Sequence, residues 1–230
     1  IANLILAKKN TPLKKIVKDI HFADMAEIIN ELNEDQGVYL IKLFDSEKTS
    51  EILTELDEDV REKILKVLSV KEIADEIEEL DSDDAADILG ELSEKRKEEV
   101  ISEISDNNLA DDLKELLSYK EDSAGGLMAK ELVQANENWS VTKCLKEIKK
   151  QGENVTRVHS IYVVDDKQKL IGRLSLKDLI TSPAKNLIKD IYIPKVDSVN
   201  VFEDGEEVAK IMSKYDLEAI PVVDNKKQLV

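Results

Sequence analysis

Between positions 20 and 105 an apolar residue stands directly before a polar one at every twelfth step. The pairs are Ile20-His21, Leu32-Asn33, Phe44-Asp45, Leu56-Asp57, Leu68-Ser69, Leu80-Asp81, Leu92-Ser93 and Ile104-Ser105. Seven of the eight second members are Asn, Asp or Ser. Such side chains accept from the free N–H groups of a first helical turn, so each predicts a helix N-cap. Ser69 and Glu72 have the spacing of a capping box. Between caps the apolar residues fall at helical spacing, as in Ile52, Leu53 and Leu56, Ile64, Leu65 and Leu68, or Ile88, Leu89 and Leu92. Helices of two to three turns are marginal alone, so this half predicts a superhelix whose members bury their stripes against one another.

The pattern changes after the stretch Tyr119-Lys-Glu-Asp-Ser-Ala-Gly-Gly-Leu-Met128. The pair Gly125-Gly126 predicts a sharp change of direction through a backbone conformation closed to other residues. Two segments then align. One runs Ser140-Val-Thr-Lys-Cys-Leu-Lys-Glu-Ile-Lys149 and Ser160-Ile-Tyr-Val-Val-Asp-Asp-Lys-Gln-Lys-Leu-Ile-Gly172; the other runs Asp204-Gly-Glu-Glu-Val-Ala-Lys-Ile-Met-Ser213 and Ala219-Ile-Pro-Val-Val-Asp-Asn-Lys-Lys-Gln-Leu-Val230. Val163-Val164-Asp165 returns 59 residues later as Val222-Val223-Asp224. Each copy predicts an amphipathic helix, a β-branched strand, a polar turn and a second strand, so the half is an internal duplication. The first copy carries about five extra residues near 152–157, read as a longer helix-to-strand loop.

At 230 residues with 42% hydrophobic content, the chain is long enough for two packed domains. Its net charge of −17 is unevenly placed: residues 1–18 carry +5, residues 19–122 carry −23, and residues 123–230 carry +1. Lys8, Lys9, Lys14, Lys15 and Lys18 form a basic leader or first helix. The acidic half argues against nucleic acid and for a cation or cationic partner. The single Cys144 excludes an internal disulfide, and His21 and His159 alone offer no zinc cluster. Cys144, Trp139 and Met128 read as packing residues. No run of about 18 apolar residues predicts a membrane span, and the start at Ile1 lacks a signal-peptide pattern, as in a piece of a longer chain. No nucleophile–base arrangement or phosphate-cradling Gly-rich loop suggests an enzyme.

Asp83 and Asp87 lie four apart, hence on one helix face, as do Glu51 and Glu55. Like charges at that spacing cost a few tenths of a kcal/mol unless neutralised, and hard divalent cations favour such oxygens. A solvated face, with Asp83 serving only the helix dipole, is the alternative.

The paired units resemble cystathionine-β-synthase (CBS) domains, β-α-β-β-α modules that associate in pairs. Gly172-Arg-Leu-Ser-Leu-Lys-Asp178 matches the family's Gly, Ser or Thr, then Asp; the second copy reaches Val230 before its own. Acidic helical repeat, Ser123-Ala-Gly-Gly-Leu-Met128, then the CBS pair with Tyr215-Asp216 and Ile220-Pro-Val-Val-Asp224, together resemble the cytosolic part of an MgtE-type magnesium transporter. The resemblance implies an all-α right-handed superhelical N-domain over residues 1–122, a first CBS domain over 123–186, and a second, incomplete one over 187–230. It also implies a magnesium-sensing regulatory region at the cytoplasmic face of the cell membrane. Its partners would be a second copy, through the CBS domains, and the protein's own transmembrane pore.

For magnesium, the resemblance points to Glu51, Asp83, Asp87 and Asp224 and to the backbone carbonyls of Gly125 and Gly126. Asp224 is otherwise an ordinary turn residue. Many CBS modules bind an adenine nucleotide such as ATP, which here implies Asp178 at the ribose, Ser175 near the phosphates and Tyr162 near the base. Ser175 as a simple helix cap is the alternative. A soluble nucleotide-responsive CBS adaptor and a protein-interaction scaffold are the competing functions.

Overall fold

The computed structural model describes residues 1–152, 155 and 157–230; of the insertion expected near 152–157, residues 153, 154 and 156 lie outside the described residues. The chain divides into two compact units, one of residues Ile1–Leu80 and Asp84–Leu113, the other of Asp81–Asp83 and Lys114–Val230.

The first unit is helical, built from α1 (Ala2–Leu6), α2 (Asn10–Val17), α3 (Phe22–Asn30), α4 (Glu34–Ile41), α5 (Ser46–Glu55), α6 (Glu58–Val67), α7 (Val70–Ile77) and α9 (Glu94–Glu103). It also takes most of α8 (Ser82–Gly90) and α10 (Asn107–Leu116). The N-cap register follows the 12-residue period. Asn33 and Ser69 form complete capping boxes with Gln36 and Glu72, and Asp45 accepts from the Lys48 N–H at 3.2 Å. Even His21, the exception among the polar partners, caps α3 by accepting from the Ala23 N–H at Nδ1. Asp57 and Ser93 hold the N-cap positions of α6 and α9 without a side-chain cap bond, and at α10 the cap slips by one: Asp106, not Ser105, accepts from the Asn108 N–H at 2.8 Å.

Along the middle of the unit helices pack on the next but one, α3 on α5, α5 on α7, α7 on α9, and α4 on α6, while α1 meets α2 and α4, and α3 meets α4. The structural repeat is therefore a helix pair of twice the sequence period, and Ile52, Leu53, Ile64, Leu65, Ile73, Ile77 and Val100 are buried along it. This is the packing that lets helices of 8–10 residues persist.

The second unit carries the duplication as β1 (Val133–Asn136), α11 (Val141–Gln151), β2 (Ile161–Val164), β3 (Leu170–Leu174) and α12 (Leu176–Thr181), then β4 (Val199–Asn200), α13 (Gly205–Tyr215) and β5 (Val222–Val223). β1 pairs parallel to β2 with Val133 opposite Ile161, and β2 pairs antiparallel to β3. In the second copy Val199 stands opposite Val222 in the same parallel register. The equivalence reaches single side chains. Asp165 Oδ1 accepts from the N–H groups of Lys167 and Lys169, and Asp224 Oδ1 from those of Lys226 and Gln228, at 2.8–3.0 Å. Gln168 and Lys227, at the ends of these turns, both take positive φ, 62° and 66°.

The first module's core gathers Val133, Ala135, Val141, Cys144, Ile148, Ile161, Val163, Leu174, Leu179 and Ile188, with Trp139 packed against it. Cys144 is fully buried there, and burial pushes its thiol up to about 11. It is a core residue, as its place on the apolar stripe predicts.

Candidate functional site

The stretch 119–128 belongs to the second unit. Neither glycine in it has the positive φ that the Gly-Gly pair predicts. The requirement is steric instead. A Cβ at Gly125 would lie 2.6 Å from the Tyr119 ring, and one at Gly126 would strike the Lys120 carbonyl. The turn is stitched to the second module: Ala124 N–H donates to Glu203 O, Gly125 N–H to Val201 O and Gly205 N–H to Asp122 O, each at 2.8 Å. The Gly125 and Gly126 carbonyls accept none of the described backbone hydrogen bonds.

Beside the turn, the Glu115 carboxylate accepts from Tyr119 Oη at 3.0 Å and from Lys130 Nζ at 2.9 Å. The hydrogen bond from Lys130 holds Glu115 below the usual carboxylate range. Burial and then the bond to Glu115 raise the Tyr119 hydroxyl; the charge of Asp224 adds to this.

Asp83 is the second residue of α8. It lines a cavity of about 570 Å³ within the second unit, together with Leu127, Met128, Glu131, Arg157, His159 and Tyr162, among others. Its position is fixed by a contact that sequence reasoning missed. Ser82, fully buried, gives its N–H to Glu131 Oε1 at 3.1 Å and its Oγ–H to Glu131 Oε2 at 2.9 Å, while its Oγ accepts from the Lys130 N–H at 2.8 Å. A carboxylate 49 residues downstream thus supplies the N-terminal cap of α8. Glu131 stands three residues after Met128, and no local pattern ties it to Ser82.

Asp87 lies one turn further along α8. Glu51, exposed on α5, lines a separate groove in the first unit with Lys14, Lys18, His21 and Lys48. Asp224 spends one oxygen on its turn. Among the described residues, no three His, Cys, Asp or Glu side chains gather into a metal cage. The available donors are hard oxygens, two carbonyls at the turn and single carboxylates. That set suits a cation such as magnesium that keeps most of its water and takes one or two protein ligands.

Of the expected nucleotide residues, Tyr162 lines the cavity, whereas Ser175 and Asp178 are not among its lining residues. They bond to each other at the start of α12: Ser175 Oγ accepts from the Asp178 N–H at 3.0 Å and donates to Asp178 Oδ2 at 2.7 Å. The cavity's polar rim comes instead from Arg157, His159 and Glu218, with His159 Nδ1 3.5 Å from Glu218 Oε2.

Residues 20–122 match the family model of the MgtE intracellular N domain, and residues 124–185 and 188–230 match that of the CBS domain. The magnesium transporter MgtE of Thermus thermophilus is 41% identical over 112 residues, which are 49% of this chain and 25% of that protein. Its counterpart in Bacillus subtilis is 32% identical over 114 residues, 50% of this chain and 25% of that protein. The chain thus spans about a quarter of the length of these curated relatives. A crystal structure of the cytosolic domain of the Mg2+ channel MgtE in complex with ATP superposes with a TM-score of 0.86 at 31% identity, covering 94% of this chain and 88% of that one. The soluble part of a magnesium transporter superposes with a TM-score of 0.82 at 27% identity, covering all of this chain and 90% of that one. With the helical repeat, the Gly-Gly turn and the duplicated α/β unit present in that order, the chain belongs to the MgtE magnesium transporter family and comprises its N domain followed by its CBS sequence.

Proposed function

We propose that this chain is the magnesium-sensing regulatory region of a membrane magnesium transporter. It stands at the cytoplasmic face of the membrane, dimerises through its CBS modules and acts on a transmembrane pore. The observation that carries the reading is the charge of residues 19–122, a net −23, in a member of a magnesium transporter family. So many carboxylates repel one another and the acidic residues of the CBS half, among them Glu203, Asp204, Glu206, Glu207 and Asp224. A bound divalent cation supplies neutralisation of that repulsion. Glu51 and Asp87 in the first unit, and Asp83, Asp224 and the Gly125 and Gly126 carbonyls in the second, are the oxygens proposed as its ligands, and the magnesium-bound state is the closed one. The Ser82–Glu131 cap fixes the first turn of α8, where Asp83 stands.

Limited proteolysis at residues 119–128, with and without millimolar magnesium, tests the reading. Protection by magnesium that disappears in Asp83→Ala/Asp87→Ala supports it. Equal cleavage in both conditions, in protein shown to be folded, overturns it.

A second reading concerns the cavity bearing Tyr162, Arg157 and His159, whose volume and largely apolar wall suit an adenine nucleotide. The related cytosolic domain solved with ATP favours it. The ring of Tyr162 would then face the base and Arg157 the phosphates. Calorimetric titration with ATP against Arg157→Ala and Tyr162→Ala decides this reading separately from the magnesium response.

A further inference from the structure

The helix-pair repeat places Ile28, Ile52, Glu76 and Val100 at the same position, 24 residues apart, on α3, α5, α7 and α9. Ile52 and Val100 are fully buried. Glu76 takes the aliphatic slot between them with 9% of its surface exposed, and its Oε2 has no hydrogen-bond partner among the described residues. A carboxylate in such a place loses its water and gains nothing in return.

Among the described residues, its charged neighbours are either acidic or cations that bond elsewhere. On its own helix stand Glu72 and Asp75, just past its end Glu79, and at the start of α5 the cap Asp45, all acidic. The other charged residues of α5 are Glu47, Glu51, Glu55 and Lys48, and Lys48 Nζ donates to the carbonyls of Val17, Lys18 and Ile20. On α9, Lys95 and Lys97 pair with Glu99 and Glu94, Arg96 donates to the carbonyls of Leu65 and Leu68, and Glu98 and Glu103 are acidic. Lys71 of α7 pairs with Asp75, and Lys42 with Glu72.

We propose that Glu76 is a proton-sensitive element of the superhelix: protonated, it fills an aliphatic slot of the α5–α7–α9 stack, and ionised, it loosens that stack. Burial first, and the surrounding Asp75, Glu72, Glu79 and Asp45 after it, push the carboxyl up to about 8, against about 4.3 in an unfolded chain. Between those values the folded unit holds a proton that the unfolded chain has released. Stability therefore falls as pH rises, with the folding constant declining by up to about tenfold per pH unit.

Urea unfolding of the intact chain, followed by circular dichroism at several pH values from 6 to 9, tests this. The expected result is a wild-type midpoint that falls with pH, beside flat midpoints in Glu76→Gln, which keeps the shape, and Glu76→Leu, which restores the repeat. The readout is the difference between the wild-type and Glu76→Gln curves, so pH effects common to the three proteins cancel. Parallel curves for wild type and Glu76→Gln would overturn the proposal. So would a wild-type midpoint that rises with pH, which would mean that ionised Glu76 finds a cation such as Arg96, whose Nε is also buried without a partner.

Discussion

Lys48 and Arg96 stand 48 residues apart and do the same work. Lys48 Nζ donates to the carbonyls of Val17, the last residue of α2, and Ile20, just past it, at 3.1 and 2.8 Å, and Arg96 donates to those of Leu65 and Leu68 at the end of α6. The four carbonyls are offset by the same 48 residues, two helix pairs. Helix C-termini leave carbonyls without intrahelical donors, and a cation there satisfies them and the helix dipole together. The few basic residues of an acidic half are therefore placed rather than scattered. Arg61 repeats the device on the carbonyls of Leu53, Thr54 and Leu56 while pairing with Glu91.

Replacing Arg96 by Met keeps the stem and removes the donors. The expected loss is about 1.5–3 kcal/mol, the range for hydrogen bonds to charged groups, read as a lowered urea midpoint. Arg96→Lys should recover most of it, because Lys48 does this work two helix pairs earlier. If Lys were as damaging as Met, the equivalence of the two positions would be wrong.

Glu131 makes a separate prediction. Glu131→Gln leaves the neutral amide one acceptor for the Ser82 N–H or Oγ–H, where the carboxylate now serves both. A cost of about 1 kcal/mol follows, as for loss of a helix cap, with faster hydrogen exchange at the Ser82 and Asp83 amides. Exchange unchanged at both amides would show that the cap is not held by this carboxylate.

The close approach of Tyr119 to Gly125 is tested by Gly125→Ala. The added methyl meets the ring at 2.6 Å, so either the ring or the turn must move, at about 1–3 kcal/mol. Tyr119→Leu in the same chain should relieve part of that strain, and a double-mutant cycle reads the coupling. Additive losses would place the strain elsewhere.

These contacts also explain what could be read before the fold was known. N-caps such as Asn33 and Ser69 act within three residues, so the 12-residue period registers them directly, and the Val-Val-Asp copies mark turns that close on their own Asp165 and Asp224. Which helices stack was not legible, because a period of 12 does not say whether a helix meets its neighbour or the next but one. The Gly125-Gly126 pair marked the right place for the wrong reason: a close ring and a close carbonyl exclude side chains there, and both belong to tertiary packing. The Ser82–Glu131 cap spans 49 residues, and Glu76 is odd only once the 24-residue register is known.

Lys130 and Glu115 give a pH dependence on the acid side. The pair lowers the Glu115 carboxyl below its unfolded value, so its contribution is present above about pH 4.3 and is lost as pH falls through the folded value. The carboxylate is partly exposed, which limits the contribution to under about 1 kcal/mol. Lys130→Met should therefore lower stability slightly at pH 7, by an amount that shrinks as pH falls below about 4.3. A difference that did not shrink with acidification would point to packing of the lysine stem instead.

Asp224 carries two assignments that one substitution can separate. Its Oδ1 holds the turn by accepting from Lys226 and Gln228, and its charge is the part proposed to serve magnesium. Asp224→Asn keeps an oxygen for both backbone donors and removes the charge; Asp224→Ala removes both. If the charge matters for sensing, Asn should leave the thermal midpoint close to wild type and weaken the magnesium-dependent protection of residues 119–128, while Ala should also lower the midpoint. Asp165→Asn is the control, since Asp165 makes the same turn in the first module, its carboxyl lowered foremost by the Lys169 N–H. That control should leave protection intact. Protection retained in Asp224→Asn would confine Asp224 to its turn and move the CBS side of the site onto the Gly125 and Gly126 carbonyls.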